Sequence, residues 1–399
     1  MKYDFETVVD RLDSNQRALS WELGKHTFGN VVTGVDEGYS KIPMWVADMS
    51  FAVAPFIQDA LKKRIDHATF GYFYLDDSYY HAIIDWQKRR HNIMDLSKEM
   101  IGFDNGVVGG IAAALAMDGN ENDPILIHNP CYIGFKKAAT IAKRQLIYSN
   151  LIQDKNGIWR MDYADMEEKI RSLGIKKIII CNPHNPSGRV WEKEELQALV
   201  DLAIKYDCTI IDDEIWSDIL APGMHITSLL SFASIRQQLI YLSAPSKTFS
   251  LAGLTGSYDI ICNPQFRERF ESYKEACGFN KPNALSVEAL KAGYTYGDDY
   301  VNQLNEVIHD NLIEMAGFIN SIDGLITQVP DGTYMLYVDC THYCQTHVCS
   351  LDELLAKGVS KGVLWQDGRS FGHPCSIRIN CALPNSLLKE AIKRLSNVL

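Results

Sequence analysis

The 399-residue chain contains no run of about eighteen apolar residues, the length a membrane-spanning helix needs, so no span is expected. It also has no excess of positive charge. Lys and Arg number 39 against 50 Asp and Glu, a net charge of −11, which argues against nucleic acid or an anionic membrane as a general partner. No helix-turn-helix segment is read, so direct DNA contact is not expected. The opening "MKYDFETVVDRLDSNQ" lacks the apolar core of an export signal. The ten cysteines are scattered along the chain, and a cytoplasmic protein with reduced thiols is expected. Internal repeats, low-complexity tracts and Pro/Gly/Ser-rich linkers are missing too, which excludes a solenoid or loosely tethered modules.

What is present is the composition of a globular protein, 46% hydrophobic and 22% charged, at a length that suggests two domains. From about residue 100 to 262, short apolar runs alternate with amphipathic ones. "PILIH", "QLIYS", "KKIIIC", "CTIID", "LIYLS" and "GSYDIIC" read as strands. "GFKKAATIAKR" reads as a helix, and "EKEELQALVDLAIKYD" places Leu196, Leu199, Val200 and Ala203 on one helical face. Apolar strands separated by helices predict an α/β fold, with a mostly parallel sheet covered on both faces. The last third differs. A long helix over "YVNQLNEVIHDNLIEMAGFINSI", strands in "GTYMLYVDC" and "CSIRINCAL", and a terminal helix predict a smaller α+β domain. The expected division is a large domain at 50–290 and a small one from 1–49 and 291–399.

Ligands of open α/β sheets bind at the carboxyl ends of the strands. After "KKIIIC" comes "NPHNPSGRVW"; after "CTIID" comes "DEIWSD"; after "LIYLS" comes "APSKTF"; and after a strand near "MIGFDN" comes "GVVGGIAAAL". These tips carry an amide, a carboxylate, a lysine and a glycine-rich helix start. Pyridoxal phosphate calls for such a set: an amine for a Schiff base, a carboxylate for the pyridine nitrogen, a donor to the phenolic oxygen, and amide or hydroxyl donors for the phosphate. Lys247 stands in "SAPSKTFSLAGL", whose other residues are all uncharged, unlike the setting of a solvated loop lysine.

In this order, "NPHNPSGRVW", "DDEIWSD" and "SAPSKTFSLAGL" resemble the fold-type I pyridoxal-phosphate enzymes of the aspartate aminotransferase superfamily, and within it the bacterial cystathionine β-lyase, or C–S lyase, branch. "MWVADMSFAVAP", "FGYFYLDDSYYHAIIDWQKRRH", "GTYMLYVDC" and "IRINCALP" extend the resemblance over almost the whole chain. It implies a seven-stranded large-domain sheet and a homodimer with shared active sites. Lys247 would be the Schiff-base lysine and proton shuttle. Asp213 would hold the pyridine nitrogen. Asp212 competes for that role, but adjacent strand residues point opposite ways, and the family pattern selects Asp213. Asn185 would bond the phenolic oxygen, with Asn182 as the turn-forming alternative. Tyr132 would stack on the ring, unless it is a core aromatic. Val108 and Gly109 would offer backbone N–H groups to the phosphate at a helix start, with hydroxyls from Ser246 and Ser243. Tyr72 would reach the phosphate of the neighbouring subunit, or simply pack in the interface. Arg378 would clamp the substrate carboxylate, a buried ion pair being the alternative.

Three positions depart from the family. Trp216 replaces the histidine of C–S lyases or the tyrosine of aminotransferases, Thr255 replaces an arginine, and Ala244 replaces a serine. The expected reaction is β-elimination on cysteine conjugates such as cystathionine, giving pyruvate, ammonia and a thiol. An aminotransferase is the alternative, and a non-enzymatic regulatory protein on the same fold is a third reading, against which Lys247 and Asp213 both count. The segment "CTHYCQTHVC" holds zinc-ligand types at no paired-ligand spacing and reads as a loop entering a helix, so no metal is expected.

Overall fold

The computed structural model describes residues 2–12, 14–31, 34–278 and 282–399. The chain divides into two compact units: residues 53–185 with 189–301, and residues 1–52 with 186–188 and 302–399.

The larger unit is built on seven strands: β1 (Ile101–Asp104), β2 (Pro124–Asn129), β3 (Gln145–Asn150), β4 (Lys177–Cys181), β5 (Thr209–Asp213), β6 (Leu239–Ser243) and β7 (Ser257–Ile260). Their order across the sheet is β1-β7-β6-β5-β4-β2-β3. All pairings are parallel except those of β7, which runs antiparallel to β1 and β6. The central strands are enclosed on both faces, with Ile178, Ile179, Ile180, Ile210, Ile211 and Ile240 all buried. That is why they read as continuous apolar runs. The flanking helices are α1 (Pro55–Asp66), α2 (Asp77–His91), α3 (Val107–Ala116), α4 (Ile133–Ile141), α5 (Tyr163–Leu173), α6 (Lys193–Lys205), α7 (Pro264–Ala276) and α8 (Ala284–Tyr296). In α6 the four residues expected on one face, Leu196, Leu199, Val200 and Ala203, are buried. Its start is fixed by a reciprocal capping box between Glu192 and Glu195.

In the smaller unit β8 (Met335–Asp339), β9 (Gln366–Asp367) and β10 (Ser376–Asn380) form an antiparallel sheet in the order β8-β10-β9. The unit boundary falls inside α9 (Asp298–Asn320), whose Leu304, Ile308, Leu312, Met315 and Ile319 form a buried stripe. Helices α10 (Leu351–Ser360) and α11 (Asn385–Leu395) complete the unit. Among the described residues no helix is long and apolar enough to cross a membrane.

One charge cluster lies wholly inside the larger unit. Lys274 of α7 has no exposed surface. Its ammonium lies 2.6 Å from Asp259, 2.7 Å from Glu271 and 3.3 Å from Asp104, and it also donates to the Phe103 carbonyl at 2.9 Å. Gly102 makes this approach possible, since a Cβ there would fall 2.4 Å from both the Asp259 and Glu271 oxygens. Burial, and next the Asp259 charge, hold the Asp104 carboxyl well above its ordinary value. Removing a buried cation while leaving its anions costs about 3–5 kcal/mol. Lys274→Met should therefore lower the urea midpoint sharply. A carboxyl raised in the folded state withdraws stability as pH rises, so the loss should be larger at pH 8 than at pH 5. Asp259→Asn in the same chain should restore part of it.

Candidate active site

Strands β4, β5 and β6 are consecutive in the sheet and parallel, so their carboxyl ends lie side by side, with Cys181 opposite Asp213 and Asp213 opposite Leu242. Side chains paired in this way leave the sheet on the same face. Leu242 packs towards α3, where a Cβ on Gly110 would fall 2.7 Å from its Cδ2. Asp213 therefore points to the α3 face. Asp212 is paired with Tyr241, whose hydroxyl accepts from the Gln87 amide of α2 at 2.9 Å, and so points to the opposite face. There it is fully enclosed, and burial followed by Glu214 holds its carboxyl well above the usual range. Geometry thus separates the two aspartates.

The Asp213 carboxyl is 3% exposed and accepts the Ile215 N–H at 3.1 Å. Burial pushes its pKa from 3.8 up to about 7, while the Ile215 bond and the nearby Lys247 charge pull it down. Lys247 lies on the irregular turn that follows β6. It is half-buried, with Nζ 5.4 Å from the centroid of the buried Trp216 ring. This is not the setting of a solvated loop lysine.

Gly106 stands at the N-cap of α3, where its φ of 86° suits glycine, and no side chain caps the first turn. Val108 and Gly109 stand half-exposed at this helix start, where uncapped N–H groups and the helix dipole favour an anion. Tyr132, at the N-cap of α4, is half-exposed rather than core. Its ring lies over Gly134, where a Cβ would fall 2.4 Å from a ring carbon and 3.0 Å from a Val108 methyl. The missing side chain at Gly134 brings the ring beside the helix start. Asn185 is buried in the loop after β4. Asn182 serves the backbone instead, donating to the Thr227 carbonyl at 3.1 Å and accepting the Trp191 N–H at 3.3 Å.

The two serines differ. Ser246 is half-exposed on the lysine turn. Ser243 is buried, donates to the Glu214 carbonyl at 3.2 Å, and leaves β6 on the face opposite Leu242, away from α3. Ala244 is buried, and Thr255 adopts a φ of 46°.

In the smaller unit Arg378 is buried on β10. Its guanidinium donates to the Trp45 carbonyl at 3.1 Å and the Gln366 side-chain carbonyl at 2.5 Å, and lies 4.5 Å from the centroid of the Phe371 ring. Both of those acceptors are neutral. Sequence reasoning missed Trp45, Gln366 and Phe371 as neighbours of Arg378, although Gln366 and Phe371 stand only five positions apart in the chain. Tyr72 is fully exposed, in an irregular stretch that also exposes Phe70, Phe73 and Tyr74. The cysteine-rich segment forms a short helix, Thr341–Thr346, with the His347 ring stacked 4.0 Å from that of Tyr343. Among the described residues no group of three His, Cys, Asp or Glu is arranged to hold a metal ion.

The aminotransferase class I and II family model matches residues 41–395, and the chain belongs to that family. It is 31% identical over 403 residues to cystathionine beta-lyase PatB of Bacillus subtilis (strain 168), covering 99% of this chain and 100% of that protein. Two solved structures align at a TM-score of 0.90 and 28% identity over 100% of this chain. They are cystalysin from Treponema denticola, containing a pyridoxal 5'-phosphate cofactor (99% of that chain), and a PLP-bound C–S lyase from Staphylococcus hominis (98% of that chain). The family, the fold class and the cofactor read from the motifs are borne out.

Asp213 ties this site to pH. Its carboxyl is raised in the folded chain, so its contribution is fully present below the ordinary carboxyl value of 3.8 and is lost as pH rises through about 7. The urea midpoint of the cofactor-free chain should fall between pH 5 and pH 8. Asp213→Asn should show a smaller fall over the same interval.

Proposed function

We propose that the chain is a pyridoxal-phosphate-dependent carbon–sulfur β-lyase, cleaving cystathionine or related cysteine S-conjugates to pyruvate, ammonia and a thiol. The observation that carries the reading is a half-buried lysine beside a carboxyl whose burial leaves it in need of a cation, in a chain similar end to end to a cystathionine beta-lyase. The family's name keeps an aminotransferase as the alternative.

The residues suit the cofactor. Lys247 Nζ would hold its aldehyde carbon, and Asp213 its protonated pyridine nitrogen. Asn185 would donate to the phenolic oxygen and Tyr132 would lie against the ring. The N–H groups of Val108 and Gly109, with the Ser246 hydroxyl, would bind the phosphate; the engaged Ser243 hydroxyl is left as a brace between strand ends. Pyridoxal phosphate, when bound, supplies an electron sink for negative charge at the substrate α-carbon. The protein's part is to place and move protons. Arg378 would fix the α-carboxylate through its planar fork. Lys247 Nζ, released by the incoming amine, would take the α-proton. Sulfur would then leave the β-carbon with the bonding pair as a thiolate and take up a proton to become the thiol, and the Cα=Cβ enamine that results would be hydrolysed by water to pyruvate and ammonia.

The working unit in this reading is a homodimer in the cytoplasm. Four exposed aromatics between residues 70 and 74 form a surface that calls for cover, and a second copy would place Tyr72 at the partner's phosphate. The ten cysteines are all free thiols, as a reducing compartment would leave them.

Purified protein given cystathionine should release pyruvate and thiol. Amino exchange with 2-oxo acids and no pyruvate would overturn the lyase reading in favour of the aminotransferase. Lys247→Ala should lose the visible absorbance of the bound cofactor and about 10²–10⁴-fold in rate, the usual worth of a positioned proton-transfer group. The shared site has its own test. Lys247→Ala and Tyr72→Ala chains, each impaired alone, should regain activity when unfolded and refolded together, because a mixed dimer holds one intact site. No recovery would count against a site built from two chains.

A further inference from the structure

Lys247 occupies an irregular turn, so no sheet or helix ladder sets its position. Local backbone bonds close the turn on itself: the Phe249 N–H donates to the Pro245 carbonyl at 2.9 Å and the Leu251 N–H to the Ser246 carbonyl at 3.0 Å. These do not fix the turn against the segment that carries Asp213 and Trp216. A side-chain bond does. The Thr248 hydroxyl, one residue past Lys247, donates to Asp218 Oδ2 at 2.8 Å, and both residues are buried. Asp218 lies two residues beyond Trp216, on the stretch that begins at Asp213.

Asp218 is itself held from a third direction. The Trp86 indole N–H lies 3.1 and 3.2 Å from its two oxygens, and His91 Nε2 lies 3.1 Å from Oδ1. Both donors belong to the last turns of α2. Burial works to raise the Asp218 carboxyl, but the bond and charge from His91, Arg90 and the Thr248 bond outweigh it and keep it below its usual value. The Phe249 ring packs 6.0 Å from that of Trp86 and 5.9 Å from that of Tyr300, pinning the other flank of the turn.

We propose that Asp218 is the positioning residue for Lys247, acting through the Thr248 hydroxyl. It locks the lysine turn to the segment bearing Asp213 and Trp216 and anchors both to α2. Misplacement of a reacting group by about 1 Å can cost on the order of 10²-fold, and an irregular turn has few other means of avoiding it. The inference rests on the reading of Lys247 as the cofactor lysine.

The test compares Thr248→Val, which keeps the shape and removes the hydroxyl, with Thr248→Ser, which keeps the hydroxyl. The first readout is the rate at which cofactor-free protein captures pyridoxal phosphate, followed by visible absorbance; kcat and KM on cystathionine are the second. Thr248→Val should slow capture and lower kcat by on the order of ten- to a hundredfold, with KM changed by less than about threefold. Thr248→Ser should stay close to wild type in both. Wild-type values for Thr248→Val, or an equal loss in Thr248→Ser, would overturn the proposal. Should Thr248→Val fail to fold, Asp218→Asn carries the same test: capture slowed in a chain that melts cooperatively supports it, and unchanged capture overturns it. Borohydride reduction and peptide mass mapping of the wild type keep the two readings apart. Cofactor absent from Lys247 defeats both, whereas cofactor on Lys247 with indifferent Thr248 variants defeats the positioning role alone.

Discussion

A carboxyl at the end of a central parallel strand, closed off from water, is the constraint on which the larger unit's functional end depends. Parallel strands require helices on both faces, and the same cover that buries Ile210 and Ile211 buries Asp213. Its anion is then expensive unless a cation approaches. The Lys247 ammonium supplies part of that charge, and a protonated pyridine nitrogen would supply the rest. The strand order that causes the burial also gathers the partners, because parallel neighbours end at the same edge of the sheet. Cost and function thus have one topological origin.

The Lys274 cluster shows what a closed arrangement looks like by comparison. There one ammonium and three carboxyls meet with no side-chain surface left on the lysine, and the site closes over its excess of negative charge, which holds the Asp104 carboxyl well above its ordinary value. At Asp213 it does not. The carboxyl has one backbone N–H bond at 3.1 Å and is pushed by burial up to about 7, while Lys247 keeps part of its surface open. Both clusters are buried ionisable groups, and composition does not tell them apart. The difference lies in whether the group is sealed in or left open to a ligand.

Much of the larger unit was legible because a strand buried on both faces must be apolar throughout. "LIYLS" coincides with β6, and "KKIIIC" and "PILIH" miss their strands by one residue. The strand-end rule then led to Lys247, Asp213 and the α3 start without any contact information. Alternation also revealed what the sequence reading had blurred. A hydroxyl at a strand tip looks available to a phosphate, yet the register of Ser243 turns it to the face away from α3. Long-range partners were beyond reach. Asp218 meets Trp86 across 132 positions and Arg378 meets Trp45 across 333. A lone aspartate or tryptophan carries no periodicity that would announce such a pairing.

Trp216 gives these contacts their weight. An indole donates one hydrogen bond and neither accepts one nor titrates, so the position where the resemblance leads one to expect histidine or tyrosine offers no acid–base group. Its ring instead faces the Lys247 ammonium at 5.4 Å, a cation–π contact. In the proposed reading, proton traffic at the substrate α-carbon would fall to Lys247, and its rate would depend on where that amine sits. A site that gives up a second acid–base group has to gain in placement what it loses in chemistry. Placement is what a buried, donor-saturated carboxylate beneath the lysine turn provides.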